Sequence, residues 1–189
     1  MELLDFYKTV NEKIEEGKLQ ELEALNPPKP EYFNWVEDIF YPLNVAIHGD
    51  SPALIWKYQT AMETFDFATV FRRCNQLVNF LRKHQIEQGA ILYTMLPLIP
   101  ENWFSFLAGI KGGFIIMPTA TNLVKKDLAY RFESLFPDVI IAHAHFTEEI
   151  DQAEKNAEQK IKLKLCVGGQ REGWLSFDDI LKEATHSEA

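Results

Sequence analysis

The sequence is short of several features that define whole classes of protein. Its only cysteines, Cys74 and Cys166, are too few for a disulfide framework or a four-cysteine zinc site. The most apolar stretch, 103–118, is interrupted by Lys111 and is too short to cross a bilayer. The N-terminus carries acidic residues where a signal peptide would carry basic ones. We therefore expect a soluble chain in the reducing cytoplasm.

Basic residues are also scarce. The 189 residues include 19 Lys and Arg against 28 Asp and Glu, a formal net charge of −9. Such an acidic chain lacks the positive surface typical of nucleic-acid or anionic-membrane binders. Hydrophobic residues make up 47% and charged residues 25%, which is the balance of a folded globular protein. The length suits one domain of ordinary size, or at most two small ones.

The first 30 residues differ from the rest of the chain. Within residues 1–24, apolar side chains recur at helical spacing: Phe6, Tyr7, Val10 and Ile14. This pattern predicts an acidic helix, interrupted at Gly17, that either packs one side on the body or binds a partner. The proline-rich segment 27–30 predicts a stiff connector. An aromatic segment, 33–40, then docks the arm and ends at Tyr41-Pro42.

From residue 53 onward, short apolar runs alternate with helical patterns. The predicted strands are 53–56, 64–65, 91–96, 114–117, 139–141 and 163–167. The predicted helices are 67–81, capped by Asp66, then 100–112, 125–135, 146–158 and 177–183. Because every position of 114–117 is apolar, we expect that strand to be buried on both faces. The alternation predicts an α/β fold, a mainly parallel sheet with helices on both faces. The tail 184–189 is expected to fray.

In such a sheet the functional loops follow the carboxyl ends of the strands. Four loops qualify: 96–100, 118–122, 142–145 and 168–173. No glycine-rich dinucleotide or phosphate-binding motif and no nucleophile elbow is present. Carboxylate pairs at Glu148-Glu149 and Asp178-Asp179 suit the first turns of helices, where the helix dipole favours acids.

His143 and His145 are the one arrangement with metal-site spacing. Two imidazoles would lie on one side of a strand end, and Asp138 and Glu148 are near enough in sequence to complete a mixed site. No cysteine or H-E-x-x-H context supports them, so surface or capping histidines are the alternative. We expect no metal site.

A series of ordered motifs resembles a known family. They are Phe33-Asn34-Trp35, Pro52-Ala53-Leu54-Ile55, Phe65-Asp66-Phe67, Asn75-Gln76-Leu77-Val78-Asn79-Phe80-Leu81, Leu96-Pro97-x-x-Pro100-Glu101, and Ala108-Gly109-Ile110-Lys111-Gly112-Gly113 followed by Pro118. From about residue 30 to 183 the sequence resembles the N-terminal part of the AMP-forming acyl-CoA synthetases of the adenylate-forming superfamily, with the medium-chain and acetyl-type branch nearest.

The resemblance implies a two-step ligase that uses ATP, Mg²⁺ and coenzyme A. A carboxylate attacks the α-phosphate of ATP to give an acyl-adenylate, and the thiol of coenzyme A then displaces AMP. The family's Ser/Thr/Gly-rich phosphate loop and its C-terminal lysine do not occur in these 189 residues. The resemblance therefore implies an incomplete N-terminal subdomain of the acyl-CoA synthetase-like fold that is inactive alone.

Few family site residues transfer to this sequence. The loop 118–122 corresponds to one near the coenzyme A channel, so the resemblance gives Thr119 and Thr121 as possible binding hydroxyls; turn or capping roles are the alternative. No catalytic or metal residue transfers. Basic residues that meet the nucleotide phosphate would fall at 146–149, where this sequence has no Arg or Lys. Gln88-Gly89-Ala90 also departs from the family's usual Gly-Asp turn.

We therefore divide the chain into an acidic helix and connector at 1–30, an α/β subdomain at 31–183, and the tail. As an incomplete ligase its partners are the remainder of the ligase chain, a carboxylic acid, ATP and coenzyme A. The alternatives are a stand-alone binding module derived from the same fold and an independent metal-dependent enzyme. An incomplete sheet has an open edge and exposed apolar surface, so we expect self-association or low solubility.

Overall fold

A computed structural model describes residues 2–155 and 157–183. The α-helices are α1 Leu3–Glu15, α2 Ala46–His48, α3 Phe67–Lys83, α4 Pro100–Gly112, α5 Lys125–Ser134, α6 Thr147–Glu154 and α7 Phe177–Glu183. The strands are β1 Pro52–Tyr58, β2 Ala61–Asp66, β3 Ile91–Met95, β4 Ile115–Pro118, β5 Val139–His143, β6 Leu163–Val167 and β7 Leu175–Ser176. The tail predicted to fray, 184–189, lies outside the described residues.

The main sheet has five strands in the order β4-β3-β5-β6-β7, and every neighbouring pair is parallel. This confirms the parallel sheet expected from the alternation of strands and helices. β1 and β2 form a separate antiparallel hairpin. The sequence pattern did not reveal β7, because two residues are too few to show a period of two.

Helices cover both faces of the sheet, as expected. Leu92 and Val139, which are paired across β3 and β5, point to the core formed with α3, α4 and α7. Their neighbours Tyr93 and Ile140, also paired, point to the opposite core formed with α5 and α6. Because successive strand residues face opposite sides, continuous apolar strands supply two cores at once.

α3 confirms the strongest periodic pattern in the sequence. Its buried side includes Cys74, Leu77 and Leu81, all three with no exposed surface. Burial raises the pKa of the Cys74 thiol to about 12, which makes it an inert thiol, as expected. The helix begins after Asp66, whose carboxylate accepts a hydrogen bond of 2.6 Å from the Thr69 N–H.

Removal of this cap gives a testable effect on stability. We expect Asp66→Ala to lower the free energy of unfolding by about 1 kcal/mol, because the Thr69 N–H loses its acceptor. Asp66→Asn, which keeps an acceptor without a titrating group, is the matched control. The hydrogen bond to Thr69 lowers the pKa of Asp66 in the folded state. The charged cap therefore stabilises the fold fully above the unfolded pKa, and this stabilisation is lost as pH falls through the folded pKa.

Urea unfolding of both variants across acidic pH checks this prediction. The difference in the free energy of unfolding between the wild-type chain and Asp66→Ala should become smaller as pH falls. The difference in the free energy of unfolding between Asp66→Asn and Asp66→Ala should stay constant over the same pH range. A pH-independent difference for the wild-type chain would contradict the role of the carboxylate.

The N-terminal arm is fixed to the C-terminal end of α4. The Asn34 side-chain amide donates hydrogen bonds to the carbonyls of Ile110 and Lys111, at 3.2 and 3.0 Å. The Lys111 ammonium, almost completely buried, forms an ion pair of 2.5 Å with Glu37 and lies over the Phe71 ring. α4 itself ends at Gly113, whose positive φ of 70° suits the left-handed cap expected there.

The aromatic segment extends further than expected. A π-helical stretch, Val36–Val45, passes through Pro42 and continues into α2, so the predicted end at Tyr41-Pro42 is wrong. The wider turn, with hydrogen bonds five residues apart, accommodates a proline ring that would clash within an α-helical turn. The docking expected of this segment is present, since Val36, Ile39 and Phe40 are buried.

Helix α1 is shorter than the acidic segment from which it was predicted. It ends at Glu15, and a separate 3₁₀ turn covers Leu19–Ala24. Phe6, Tyr7 and Val10 are half-buried, whereas Ile14 is half exposed, and no residue of α1 is fully buried.

The predicted helix 146–158 is also shorter than expected. A 3₁₀ turn, Ala144–Phe146, precedes α6, and α6 ends at Glu154. The Glu154 carboxylate accepts a hydrogen bond of 2.8 Å from the Ile161 N–H, which turns the chain back toward β6. The acidic pairs lie in first turns as predicted: Glu148 and Glu149 in α6, and Asp178 and Asp179 in α7.

Strand β4 contradicts the expectation of burial on both faces. Phe114 is buried, but Ile115 is 48% exposed and Met117 is only half-buried. The physical reason is position, because β4 is the edge strand and no helix of the described residues covers its face on the α5 side. A continuous apolar run thus marks a strand with two apolar faces, and the neighbouring elements decide whether both are buried.

Candidate functional site

The order in which the chain adds strands to the sheet reverses between β3 and β5. From β3 it moves outward through α4 to β4, and then crosses through α5 on the other face to β5. Loops 96–100 and 142–145 therefore leave neighbouring strands toward opposite faces. In open α/β sheets, ligands bind in the crevice opened at such a switch point. The structure thus places two of the four predicted loops at the candidate site, with 118–122 and 168–173 on either side.

The β3 loop provides the apolar side of this crevice. Leu98 is 81% exposed, and its carbonyl accepts a hydrogen bond of 2.9 Å from the Trp56 indole N–H. This bond attaches the β1–β2 hairpin to the loop. Pro100 then begins α4 at a position where its missing N–H costs nothing, as the sequence predicts.

His143 and His145 provide the polar side. Their rings stack with centroids 4.9 Å apart, and the His145 N–H donates to Nδ1 of His143 at 3.4 Å. The His143 ring also lies against Gly168, where an added Cβ would be 2.6 Å from Nε2. Burial, together with the nearby His145, lowers the pKa of His143 and favours the neutral imidazole.

The mixed metal site considered from the sequence is not assembled. Asp138 lies at the opposite end of β5 from His143, where it pairs with Lys162 at 2.7 Å and accepts the Ile91 N–H at 2.9 Å. Glu148 accepts a hydrogen bond from Gln152 within α6. Across residues 2–155 and 157–183, no group of three or more His, Cys, Asp or Glu side chains is placed to hold a metal ion.

The two threonines proposed for the coenzyme A channel have different environments. Thr119 is 7% exposed, and its hydroxyl donates to the Met117 carbonyl at 3.3 Å while its N–H donates to the Thr94 carbonyl. It therefore closes the end of β4. Thr121 is half-buried in the following turn, and its hydroxyl has no hydrogen bond to any other described residue. Only Thr121 keeps a hydroxyl available for a ligand in this loop.

The N-terminus of α5, which follows loop 118–122, is already bound by a carboxylate. Glu149 accepts a hydrogen bond of 2.7 Å from the backbone N–H of Lys125, the first residue of α5. A carboxylate at this position takes the place that a phosphate would occupy at a helix N-terminus. Residues 146–149 contain no Lys or Arg side chain.

The loop 168–173 is anchored by a half-buried charge network. Asp151 accepts hydrogen bonds from Lys164 at 3.0 Å, from the Trp174 indole at 3.0 Å and from Arg171 at 3.2 Å. Burial would raise the pKa of Asp151, but these donors outweigh it and lower that pKa. Lys164 also pairs with Glu154 at 2.9 Å. Arg171, the one basic residue of this loop, is thus paired within the fold.

One candidate group was missed from the sequence. Glu101 was interpreted only as a first-turn acid of α4, but burial raises the pKa of its carboxyl, and Asp178 and Glu63 add to the effect. A carboxyl group with a raised pKa beside a switch-point loop is a candidate for function. The proline-glutamate pair at the predicted helix start was the available signal.

Among the described residues, no helix combines the length and the apolar character that a membrane crossing requires.

The chain forms a doubly wound parallel sheet with a crevice at its switch point, which is where open α/β sheets bind ligands. The chain belongs to the AMP-binding enzyme family, whose model matches residues 43–188. It corresponds to the N-terminal portion of that adenylate-forming domain, which confirms the resemblance to acyl-CoA synthetases.

The curated relatives described here are considerably longer than this chain. It is 34% identical to 4-hydroxybutyrate–CoA ligase 1 of Metallosphaera sedula, over 93% of this chain and 30% of that ligase. It is 28% identical to the mitochondrial acyl-coenzyme A synthetase ACSM2 of Rattus norvegicus, over 95% of this chain and 32% of that protein. The chain thus spans about a third of the length of these curated relatives.

The fold is also that of solved ligase structures. The anthranilate CoA ligase AuaEII, crystallised with anthranoyl-AMP, matches with a TM-score of 0.73 and 24% identity, over 85% of this chain and 30% of that one. A benzoate CoA ligase from Burkholderia xenovorans matches with a TM-score of 0.64 and 13% identity, over 81% and 29%. At these identities the matches establish the fold alone.

Proposed function

We propose that this chain is the N-terminal part of an AMP-forming acyl-CoA synthetase that activates a short- or medium-chain carboxylic acid. The observation that carries the proposal is the similarity of nearly the whole chain to two CoA ligases of this type, at 34% and 28% identity. The complete enzyme joins the acid to the α-phosphate of ATP with release of pyrophosphate, and then transfers the acyl group to coenzyme A with release of AMP.

In this proposal the chain supplies scaffold and positioning rather than the reacting groups. Its sheet carries the switch-point loops 96–100 and 142–145, and Thr121 offers one hydroxyl next to them. ATP, Mg²⁺ and coenzyme A belong to the complete enzyme, in which Mg²⁺ offsets the charge of the departing pyrophosphate. The 189 residues contain no Ser/Thr/Gly-rich phosphate loop, and Glu149 already satisfies the N-terminus of α5. We infer that this segment alone binds none of these molecules productively.

Acid-dependent exchange of pyrophosphate into ATP tests the proposal. We expect no exchange from the 189-residue chain, and exchange with 4-hydroxybutyrate or a medium-chain fatty acid from the polypeptide that includes the downstream coding sequence. The longer polypeptide without added acid is the control. Absence of exchange across a panel of carboxylic acids, in a folded longer polypeptide, would contradict the ligase assignment.

The alternative proposal is a stand-alone binding module derived from the same fold. The exposed apolar face of β4 favours it, because such faces mark interaction surfaces. Titration calorimetry of the 189-residue chain with AMP and coenzyme A separates the two, since only a binding module should take up a nucleotide alone. For either function we propose a cytoplasmic location and the division at residues 30 and 183 described above.

A further inference from the structure

The tip of loop 96–100 is attached to the rest of the fold by one distant side chain. Both ends of the loop are buried, whereas Leu98 at its centre is 81% exposed. The Ile99 N–H donates to the Pro97 carbonyl at 2.8 Å, which folds the tip into a tight turn. The Leu98 carbonyl accepts the Trp56 indole N–H at 2.9 Å, and Leu98 has no other hydrogen bond to any described residue.

The hairpin β1–β2 holds Trp56 over this loop. Leu54 is paired with Phe65, and Trp56 follows two residues later on the same strand, so the three side chains lie on one face. On that face the Phe65 ring packs edge-on against Phe104 of α4, with centroids 5.5 Å apart. The Tyr58 ring lies parallel to the indole of Trp56, with centroids 6.0 Å apart. These contacts fix the position from which the indole reaches the loop.

Leu98 presents an apolar side chain at the switch-point crevice, on the side away from His143 and His145. Because that side chain is exposed, its packing contributes little to the stability of the fold. An anchored apolar group at a ligand crevice instead provides a preformed contact, which raises affinity because less ordering is needed when the ligand binds. Among the substrates of the proposed ligase, the carboxylic acid carries the most apolar group, its acyl chain.

We propose that Trp56 is a positioning residue of the ligase, which holds Leu98 where its side chain contacts the acyl chain of the bound acid. This inference rests on the proposed function. Trp56 acts through the Leu98 carbonyl and does not itself touch the acid. Without the indole N–H, the tip of the loop would move among several positions, and acid binding would have to order it. The acid would then bind more weakly, while the reaction of the bound acid would proceed unchanged.

Steady-state kinetics of the full-length polypeptide with acetate, butyrate and octanoate test this inference. Trp56→Phe keeps an aromatic ring but removes the N–H donor. We expect it to raise the KM for octanoate about fivefold, the effect of one lost hydrogen bond, and to leave kcat and the KM for ATP unchanged. The rise should be smaller for butyrate and absent for acetate, whose methyl group offers little apolar surface. Trp56→His should recover part of the loss, because Nε2 of histidine occupies the ring position of the indole nitrogen.

A double-mutant cycle shows whether Trp56 acts through Leu98. Leu98→Ala alone should raise the KM for octanoate, and in that background Trp56→Phe should have no further effect. Because Leu98 is exposed, Leu98→Ala keeps the test informative even where Trp56→Phe destabilises the hairpin. Trp35→Phe is the matched control, since the Trp35 ring stacks on Phe40 and its indole makes no hydrogen bond to any described residue. It should leave all kinetic constants unchanged.

The results that would overturn the inference differ from those that would overturn the proposed function. An unchanged KM for octanoate in Trp56→Phe, an equal rise for acetate and octanoate, or a rise that persists in the Leu98→Ala background would each overturn the inference. A fall in kcat alone would do the same, because it would place the effect on the reaction rather than on acid binding. Absence of pyrophosphate exchange by the wild-type polypeptide would overturn the proposed function, and the inference with it.

Discussion

Replacement of Lys164 by methionine is expected to lower the free energy of unfolding by about 3 kcal/mol. Its ammonium lies between Asp151 and Glu154, at 3.0 and 2.9 Å, and the Glu154 side chain is only 8% exposed. Methionine replaces the unbranched side chain as far as Cε but lacks the ammonium group, which leaves two carboxylates of like charge close together in a half-buried site. We place the cost at the low end for a broken buried pair, since Lys164 retains 18% exposure and Asp151 keeps Arg171 and Trp174.

The loss should also depend on pH. In the wild-type chain the donors around Asp151 hold its pKa below the ordinary value despite burial. The associated stabilisation is therefore complete above the unfolded pKa of an aspartate, and it is lost as pH falls through the lowered folded pKa. The difference in the free energy of unfolding between the wild-type chain and Lys164→Met should accordingly become smaller at acidic pH.

Chemical denaturation of both chains from neutral to acidic pH measures this difference. Lys182→Met is the matched control, because Lys182 pairs with Asp179 at the surface with both side chains more than half exposed. Loss of the pair between Lys182 and Asp179 should lower the free energy of unfolding by about 0.5 kcal/mol or less. Equal costs for the two substitutions at neutral pH would show that the Lys164 network contributes no more than a surface pair.

Gly109→Ala is expected to destabilise the fold by about 2 kcal/mol, although alanine is the better helix former. Gly109 lies in α4 where that helix crosses β4, and a methyl group there would lie 2.5 Å from Cδ1 of Ile116. The helix and the strand must therefore separate, or the Ile116 side chain must leave its position. Either response disturbs the core between α4 and the sheet.

A double-mutant cycle isolates this contact. In an Ile116→Ala background the space opposite Gly109 is free, so Gly109→Ala should cost little or should stabilise α4 by up to about 1 kcal/mol. Denaturant unfolding of the four proteins gives the coupling energy. If Gly109→Ala costs the same in both backgrounds, the close approach of helix and strand is not the cause.

Patterns confined to one element predicted their structures well. The helical period of residues 67–81 and the cap at Asp66 identified α3, and Pro100 and Gly113 marked the two ends of α4. These features depend on local backbone chemistry, which a sequence carries in full. Element boundaries were less accurate, as Pro42 and the end of α6 show, because tertiary contacts there stabilise turns that local rules disfavour.

The candidate site was only partly visible from the sequence. The four loops at the carboxyl ends of the strands followed from the expected parallel sheet, but the crevice between 96–100 and 142–145 depends on strand order. His143 and Asp138 are close in sequence yet occupy opposite ends of β5. The hydroxyl of Thr119 donates a hydrogen bond to the Met117 carbonyl of the strand that it follows, β4. The pKa of Glu101 is raised because the tertiary fold buries its carboxyl group and brings Asp178 of α7 and Glu63 of the hairpin near it.

By itself the sequence determined the fold class, the family and the acidic character of the chain, because periodicity, ordered motifs and charge are properties of the residues alone. The tertiary structure alone decided that β4 is an edge strand with one uncovered face, that Lys164 holds two carboxylates together, and that Glu149 neutralises α5. These outcomes depend on which distant segments become neighbours. Burial, pairing and pKa are set by those neighbours, and no local pattern of residues specifies them.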